Sequence, residues 1–192
     1  MSELFSTWDP EASPPTVQFP ARYNAAVDLI GRNLAAGLAG KVAFVDDRGA
    51  TTYGELATRV DQAGAALLAL GIEPEQRILL CLLDSVDFVA LFLGAIKVGI
   101  IPVPVNTLLP AGDYAFLLRD SRARALFVSD ALVEKLRDAV AAAPLLRNVV
   151  VVDSVLGGPD DGHAHFAELL AATLPHSAAA DTAPDEIGRA HV

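Results

Sequence analysis

His163 and His165 lie two residues apart, with Asp160 and Asp161 just before them, the nearest approach in this sequence to a metal-binding constellation. Structural zinc sites space their ligands more widely and recruit cysteines. A solvated loop is therefore the expected setting for these four side chains. Asp46 and Asp47 are neighbouring carboxylates, but adjacent residues of a strand point to opposite faces, and a turn explains them better. Cys81, the single cysteine, sits inside the apolar run 78–83, so it reads as a small buried hydrophobe. One cysteine also excludes a disulfide framework and a cysteine metal cluster. A phosphate cradle needs backbone N–H groups converging at a strand–helix turn. Neither GxGxxG nor GxxxxGK[ST] occurs, and the pair Gly157-Gly158 is followed by Pro159, which has no N–H to offer. No serine sits in a GxSxG context. On residue chemistry alone, no catalytic, cofactor-binding or metal-ligating residue is assigned.

The elements that would position any such residue are easier to read. Residues 1–20 carry Pro10, Pro14, Pro15 and Pro20 and are expected to form an extended surface arm without regular structure. Ala26, Leu29, Ile30, Leu34 and Leu38 recur at helical spacing, with Asn24 as a candidate cap. Residues 41–53 read as two short strands around an Asp-Asp-Arg-Gly turn, with Asp47 and Gly49 supplying the turn chemistry. Thr52 and Glu55 form a capping box for a helix over 53–70, which Gly71 ends. The periods then alternate: strand 77–83, helix from Asp84/Ser85 to Val98, strand 100–105, helix 111–119, strand 123–128, helix 131–142, strand 148–152. Continuous Val/Ile/Leu strands alternating with helices predict a parallel sheet covered on both faces. Pro102 and Pro104 place strand 100–105 at an edge, or make it short. A loop over 156–162, a short helix over 165–173 and an exposed linker over 175–184 complete the reading.

Composition narrows the classes of partner. The formal net charge is −10, with the acidic residues dispersed, which argues against nucleic acid and anionic membrane. Hydrophobic residues make up 53% of the chain, yet no apolar run reaches the roughly 18–20 residues of a membrane span. The N-terminus lacks the basic and apolar regions of a signal peptide. A cytoplasmic protein is expected.

Four stretches occur in a fixed order: TTYGEL at 51–56, LGIEPEQRILL at 70–80, FLGAIKVGIIPVPVN at 92–106 and SRARALFVS at 121–129. Together they resemble the N-terminal part of the adenylate-forming superfamily of acyl- and aryl-CoA ligases, peptide-synthetase adenylation domains and luciferases. NTLLPAGDYAFLLR at 106–119 and FPARYN at 19–24 are most similar to benzoate-CoA ligases and their hydroxybenzoate relatives. The resemblance covers roughly 17–186 and implies an α/β fold, a partial N-terminal domain with its arm and a small β-hairpin. It implies a whole enzyme that uses ATP, Mg²⁺ and coenzyme A on an aromatic carboxylate. The family's phosphate loop, acid pocket, nucleotide contacts and C-terminal catalytic lysine have no counterpart here, so no site residue is carried over. Gly54 and Gly94 then read as packing glycines and Asn106 as a turn residue.

The chain is thus expected to be a truncated, inactive ligase. The alternatives are a free-standing α/β binding module on the ligase scaffold, or part of another acyl-CoA synthetase or adenylation domain. Residues 21–186 are expected to form the partial domain. The last six residues, Ile-Gly-Arg-Ala-His-Val at 187–192, back-translate to ATC GGA AGA GCA CAC GTC, which resembles a sequencing adapter read in one frame. They are expected to be read-through rather than native sequence.

Overall fold

The computed structural model describes residues 4–153 and 163–184. Gly157, Gly158, Asp160, Asp161 and residues 187–192 lie outside the described residues.

The arm is more regular than its prolines predict. Strands β1 (Thr7–Asp9) and β2 (Thr16–Gln18) pair antiparallel, with Trp8 opposite Val17. Pro10, Pro14 and Pro15 fall in the connection and Pro20 beyond it, so none removes an N–H from the ladder. Helix α1 (Ala25–Ala35) starts where Asn24 Oδ1 accepts from the N–H groups of Ala26 and Val27. Strands β3 (Val42–Asp46) and β4 (Gly49–Thr52) form the expected hairpin, with Gly49 at φ +124° in its turn. Helix α2 (Tyr53–Ala69) opens on the complete capping box of Thr52 and Glu55. Gly71, at φ +73°, turns the chain out of it.

Five parallel strands make the main sheet, in the order β6-β5-β7-β8-β9. They are β5 (Arg77–Cys81), β6 (Ile101–Pro104), β7 (Ala125–Ser129), β8 (Asn148–Val152) and β9 (Ala164–His165). Strand β5 stops two residues short of the expected 83, and β9 is an addition that no local pattern announces. Strand β6 is both short and at the edge. Its Ile101 and Val105 N–H groups donate to Gln76 and Leu80 on the β5 side, so the prolines at 102 and 104 face away from β5, where no strand pairs with β6 among the described residues.

Helices α3 (Val86–Lys97), α4 (Ala111–Ser121), α5 (Val133–Ala141) and α6 (Phe166–Ala171) complete the domain. A single 3₁₀ turn, Asp130–Leu132, precedes α5, where one continuous helix was expected. Alternation along the buried strands divides the interior in two. Ile78, Leu80, Ala125, Phe127 and Val150 join residues of α1, α2, α3 and α6 in one core. Leu79, Cys81, Leu126 and Val128 join Tyr114, Leu118, Leu136 and Ala139 of α4 and α5 in the other. Helices α2 and α3 cross at backbone contact: a Cβ on Gly94 would lie 2.9 Å from Ala63 Cβ, Gly64 N and Val60 O.

The segment 175–184 is not the exposed linker its Ala/Pro/Thr composition predicts. Ser177 is buried, and the Ala180 N–H donates to the Lys97 carbonyl at 2.7 Å. Tyr23 N–H donates to the Thr182 carbonyl at 2.8 Å, and Thr182 Oγ1 returns a bond to the Tyr23 carbonyl at 2.6 Å. Backbone groups make most of these bonds, which is why composition hides them.

Candidate functional site at the carboxyl ends of the strands

In open α/β sheets, ligands gather beyond the carboxyl ends of the strands. Here that end carries a small open crevice of about 110 Å³, lined by Asp46, Asp47, Arg48, Leu83, Asp84, Ser85, Ser129, Val152 and Asp153. Strands β7 and β8 deliver Ser129, Val152 and Asp153, the β5–α3 loop delivers Leu83 to Ser85, and the β3–β4 turn reaches over with Asp46 to Arg48.

The inner polar groups of this crevice are committed to holding it together. Ser129 Oγ accepts the Leu83 N–H at 2.9 Å. Asp46 accepts the Val86 N–H at 3.0 Å through one oxygen and the Arg48 N–H at 2.9 Å through the other. The bond from Val86, in the first turn of α3, is the main reason the Asp46 carboxyl sits below its usual range. Burial opposes that effect, and the Arg48 N–H and the charges of Arg48 and Arg59 reinforce it. Asp87, buried beneath, accepts from Arg48 Nη2 at 2.7 Å and Arg59 Nε at 2.6 Å. A buried carboxylate needs such partners, and two guanidinium groups supply them. Asp47 and Asp84 remain exposed.

The histidines part company. His163 is exposed, whereas His165 is buried in β9 and its Nδ1 lies 2.9 and 3.1 Å from the two oxygens of buried Asp153. The shared solvated loop expected for both is therefore wrong for His165. A carboxylate beside Nδ1 selects the tautomer protonated there, and the pair fastens β9 onto β8 through burial. Asp46 ends strand β3 and Asp47 begins the turn after it, the first partly buried and the second exposed.

Across the sheet, Cys81 is fully buried and burial pushes its thiol up. It is protonated at neutral pH and unreactive. Tyr114 is pushed up to about 12, first by burial and then by Cys81. Its hydroxyl donates to the Asn106 carbonyl at 2.9 Å. Asn106 Oδ1 accepts the Leu108 N–H at 2.8 Å, which makes Asn106 a turn residue. Lys135 Nζ donates to the Thr107 carbonyl at 2.9 Å and stands 5.4 Å from the centroid of the Tyr114 ring.

Sequence reasoning missed Asp28, Asp87 and the Asp153–His165 pair. For Asp28 a signal existed, the i,i+4 spacing to Arg32, and the structure realises it at 2.5 Å. Asp87 had none, since Arg59 and Arg48 lie 28 and 39 residues away.

A parallel sheet with helices on both faces, and a braced crevice at its carboxyl end, defines an α/β scaffold rather than a finished active site. Residues 32–186 match the AMP-binding enzyme family, and the chain belongs to that family. It is 45% identical over 182 residues to a benzoate–CoA ligase of Thauera aromatica, covering 94% of this chain and 33% of that protein. Against a 4-hydroxybenzoate–CoA/benzoate–CoA ligase of Rhodopseudomonas palustris the identity is 44%, over 86% of this chain and 30% of that protein. The solved structure of a benzoate CoA ligase from Burkholderia xenovorans LB400 superimposes with a TM-score of 0.74 at 40% identity, covering 84% of this chain and 31% of that one. That of the anthranilate CoA ligase AuaEII with anthranoyl-AMP gives 0.80 at 32% identity, covering 86% and 31%. The chain thus spans about a third of the length of the relatives it matches.

Proposed function

We propose that the chain is the N-terminal part of an aryl-CoA ligase, inactive by itself. The whole enzyme would join benzoate or a related aromatic carboxylate to ATP, release pyrophosphate, and pass the acyl group from the adenylate to the thiol of coenzyme A. The observation that carries this reading is the 45% identity to a benzoate–CoA ligase along 94% of the chain. The chemistry is sound because AMP leaves far more readily than hydroxide from the activated acyl carbon.

The part assigned to the described residues is scaffolding. Asp46, Asp87, Arg48 and Arg59 brace the hairpin against the start of α3, and Asp153 and His165 close the far edge of the sheet. Magnesium belongs to the proposed reaction. Among the described residues no group of three or more His, Cys, Asp or Glu side chains is placed to hold a metal ion. No described helix is long and apolar enough to cross a membrane. The proposed setting is the cytoplasm, without nucleic-acid or membrane partners.

The test compares the 192-residue chain with a polypeptide extended to the length of the relatives. With ATP, magnesium, benzoate and coenzyme A, the short chain should release AMP at background rate and the extended one should release it in response to benzoate. Benzoate-dependent turnover by the short chain overturns the reading of inactivity. An extended enzyme that prefers an aliphatic or amino acid overturns the aryl assignment.

A further inference from the structure

The anchor of the N-terminal arm and the segment 177–184 both bond to Tyr23. Tyr23 uses its backbone for the segment and its side chain for the arm's anchor. Its N–H and carbonyl are both bonded to Thr182, at 2.8 and 2.6 Å. Its hydroxyl donates to Asp28 Oδ2 at 3.0 Å. The same Asp28 oxygen accepts the Ser6 N–H at 3.0 Å and the Ser6 hydroxyl at 2.7 Å. Arg32 closes the ring, with Nε 2.7 Å from Asp28 Oδ1 and Nη2 donating to the Ser6 carbonyl at 3.0 Å. Asp28 is buried, so the arm's anchor is a shielded carboxylate held by four donor groups on Ser6, Tyr23 and Arg32.

The neighbouring residue extends the connection to α3. Asn24 Nδ2 donates to the carbonyls of Ile96 and Lys97, and the Ala180 N–H donates to the same Lys97 carbonyl. The end of α3 is therefore capped jointly by the entry to α1 and by the late segment. Ala180 also rests where a Cβ on Gly99 would come within 3.0 Å of its methyl, and Ser177 Oγ lies 2.9 Å from where a Cβ on Gly64 would stand. The fit leaves no room for the segment to slide.

We propose that residues 177–184 form a strap, and that strap and N-terminal arm open and close as one cooperative unit through Tyr23. This goes beyond the ligase reading and stands whether or not that reading holds. Losing the Asp28 anchor frees the Tyr23 side chain, and with it the backbone groups that hold Thr182. Losing the strap returns the favour, because coupling between two sites is reciprocal.

Amide hydrogen exchange on the 192-residue chain reads both ends at single residues: Ser6 N–H for the arm, Ala180 N–H for the strap, and the amides of β7 and β8 as a control. Asp28→Asn and the gentler Tyr23→Phe should each speed exchange at Ala180 by about tenfold. Thr182→Val, at the other end, should speed exchange at Ser6 to a similar extent. The control amides should keep their rates. Acceleration confined to the end that carries the substitution overturns the proposal. So does an equal acceleration in β7 and β8, which reports global destabilisation, or an Ala180 amide that is unprotected in the unaltered chain.

Discussion

On one face of the sheet Phe127, Ile78 and Leu80 meet helices that are themselves covered by further helices, and α2 and α3 approach until only glycine fits between them. On the other face Leu126, Leu79 and Cys81 meet α4 and α5, a single layer whose core includes the polar Tyr114. The same strands serve both, since successive residues of β5 and β7 point to opposite sides. The first face owes its tightness to shape and the second to side-chain burial plus a few placed hydrogen bonds. Substitutions should therefore be punished differently on the two sides.

The largest effect should come from Phe127→Ala, a large-to-small change beneath Phe166, whose ring centroid is 6.0 Å away. Chemical denaturation should show a loss of about 3–5 kcal/mol. If Leu126→Ala, its neighbour on the other face, costs more, the ranking of the faces fails. Next, Gly94→Ala should lose on the order of 2–3 kcal/mol through overpacking against backbone atoms. Gly112→Ala in α4, where a Cβ meets nothing within 4 Å, should instead gain about 0.5–1 kcal/mol. Equal responses at the two glycines would erase the contrast between the faces. Tyr114→Phe should cost about 1–2 kcal/mol by leaving the Asn106 carbonyl without its donor.

The smallest effect is the response to acid. Burial raises the Asp28 carboxyl, but the Ser6 hydroxyl and N–H, Arg32 and Tyr23 together hold it below its usual range. A carboxyl lowered in the folded state adds stability above its unfolded pKa, about 3.9, and loses it as pH falls through the folded value. Unfolding midpoints measured from pH 7 to pH 3 should drop at the acid end, with a slope of at most about 1.4 kcal/mol per pH unit from this group. Asp28→Asn should flatten that part of the curve. An unchanged curve would mean that Asp28 titrates alike folded and unfolded.

What the sequence revealed followed from how local each signal is. The Thr52–Glu55 box and strand β8 (Asn148–Val152) stand where short-range patterns place them. Helix α3 begins one residue after Ser85, whose hydroxyl accepts from Phe88. The misses share the opposite property. The strap bonds to the backbone of a residue 159 positions earlier, and a polar-small composition gives no hint of that. Strand β9 is two residues long and is defined by its partner β8 rather than by its own pattern. The arm's prolines read as breakers, whereas Pro10, Pro14 and Pro15 occupy the connection of a hairpin and Pro20 lies beyond it. At the carboxyl-end crevice, Asp46 and Asp47 were legible as a turn. The arginines that answer Asp87 were not, because charge pairing across tens of residues leaves no spacing rule.

The edge strand β6 has a consequence for how this chain behaves in company. An open strand edge is a template on which other chains can build sheet. At positions 102 and 104, facing outward, β6 offers proline nitrogens without hydrogen. A strand arriving there would find carbonyls to donate to but no donors at those two positions, so its ladder would be half made. The prolines that made this strand look improbable thus leave the outward side of β6 short of two donors.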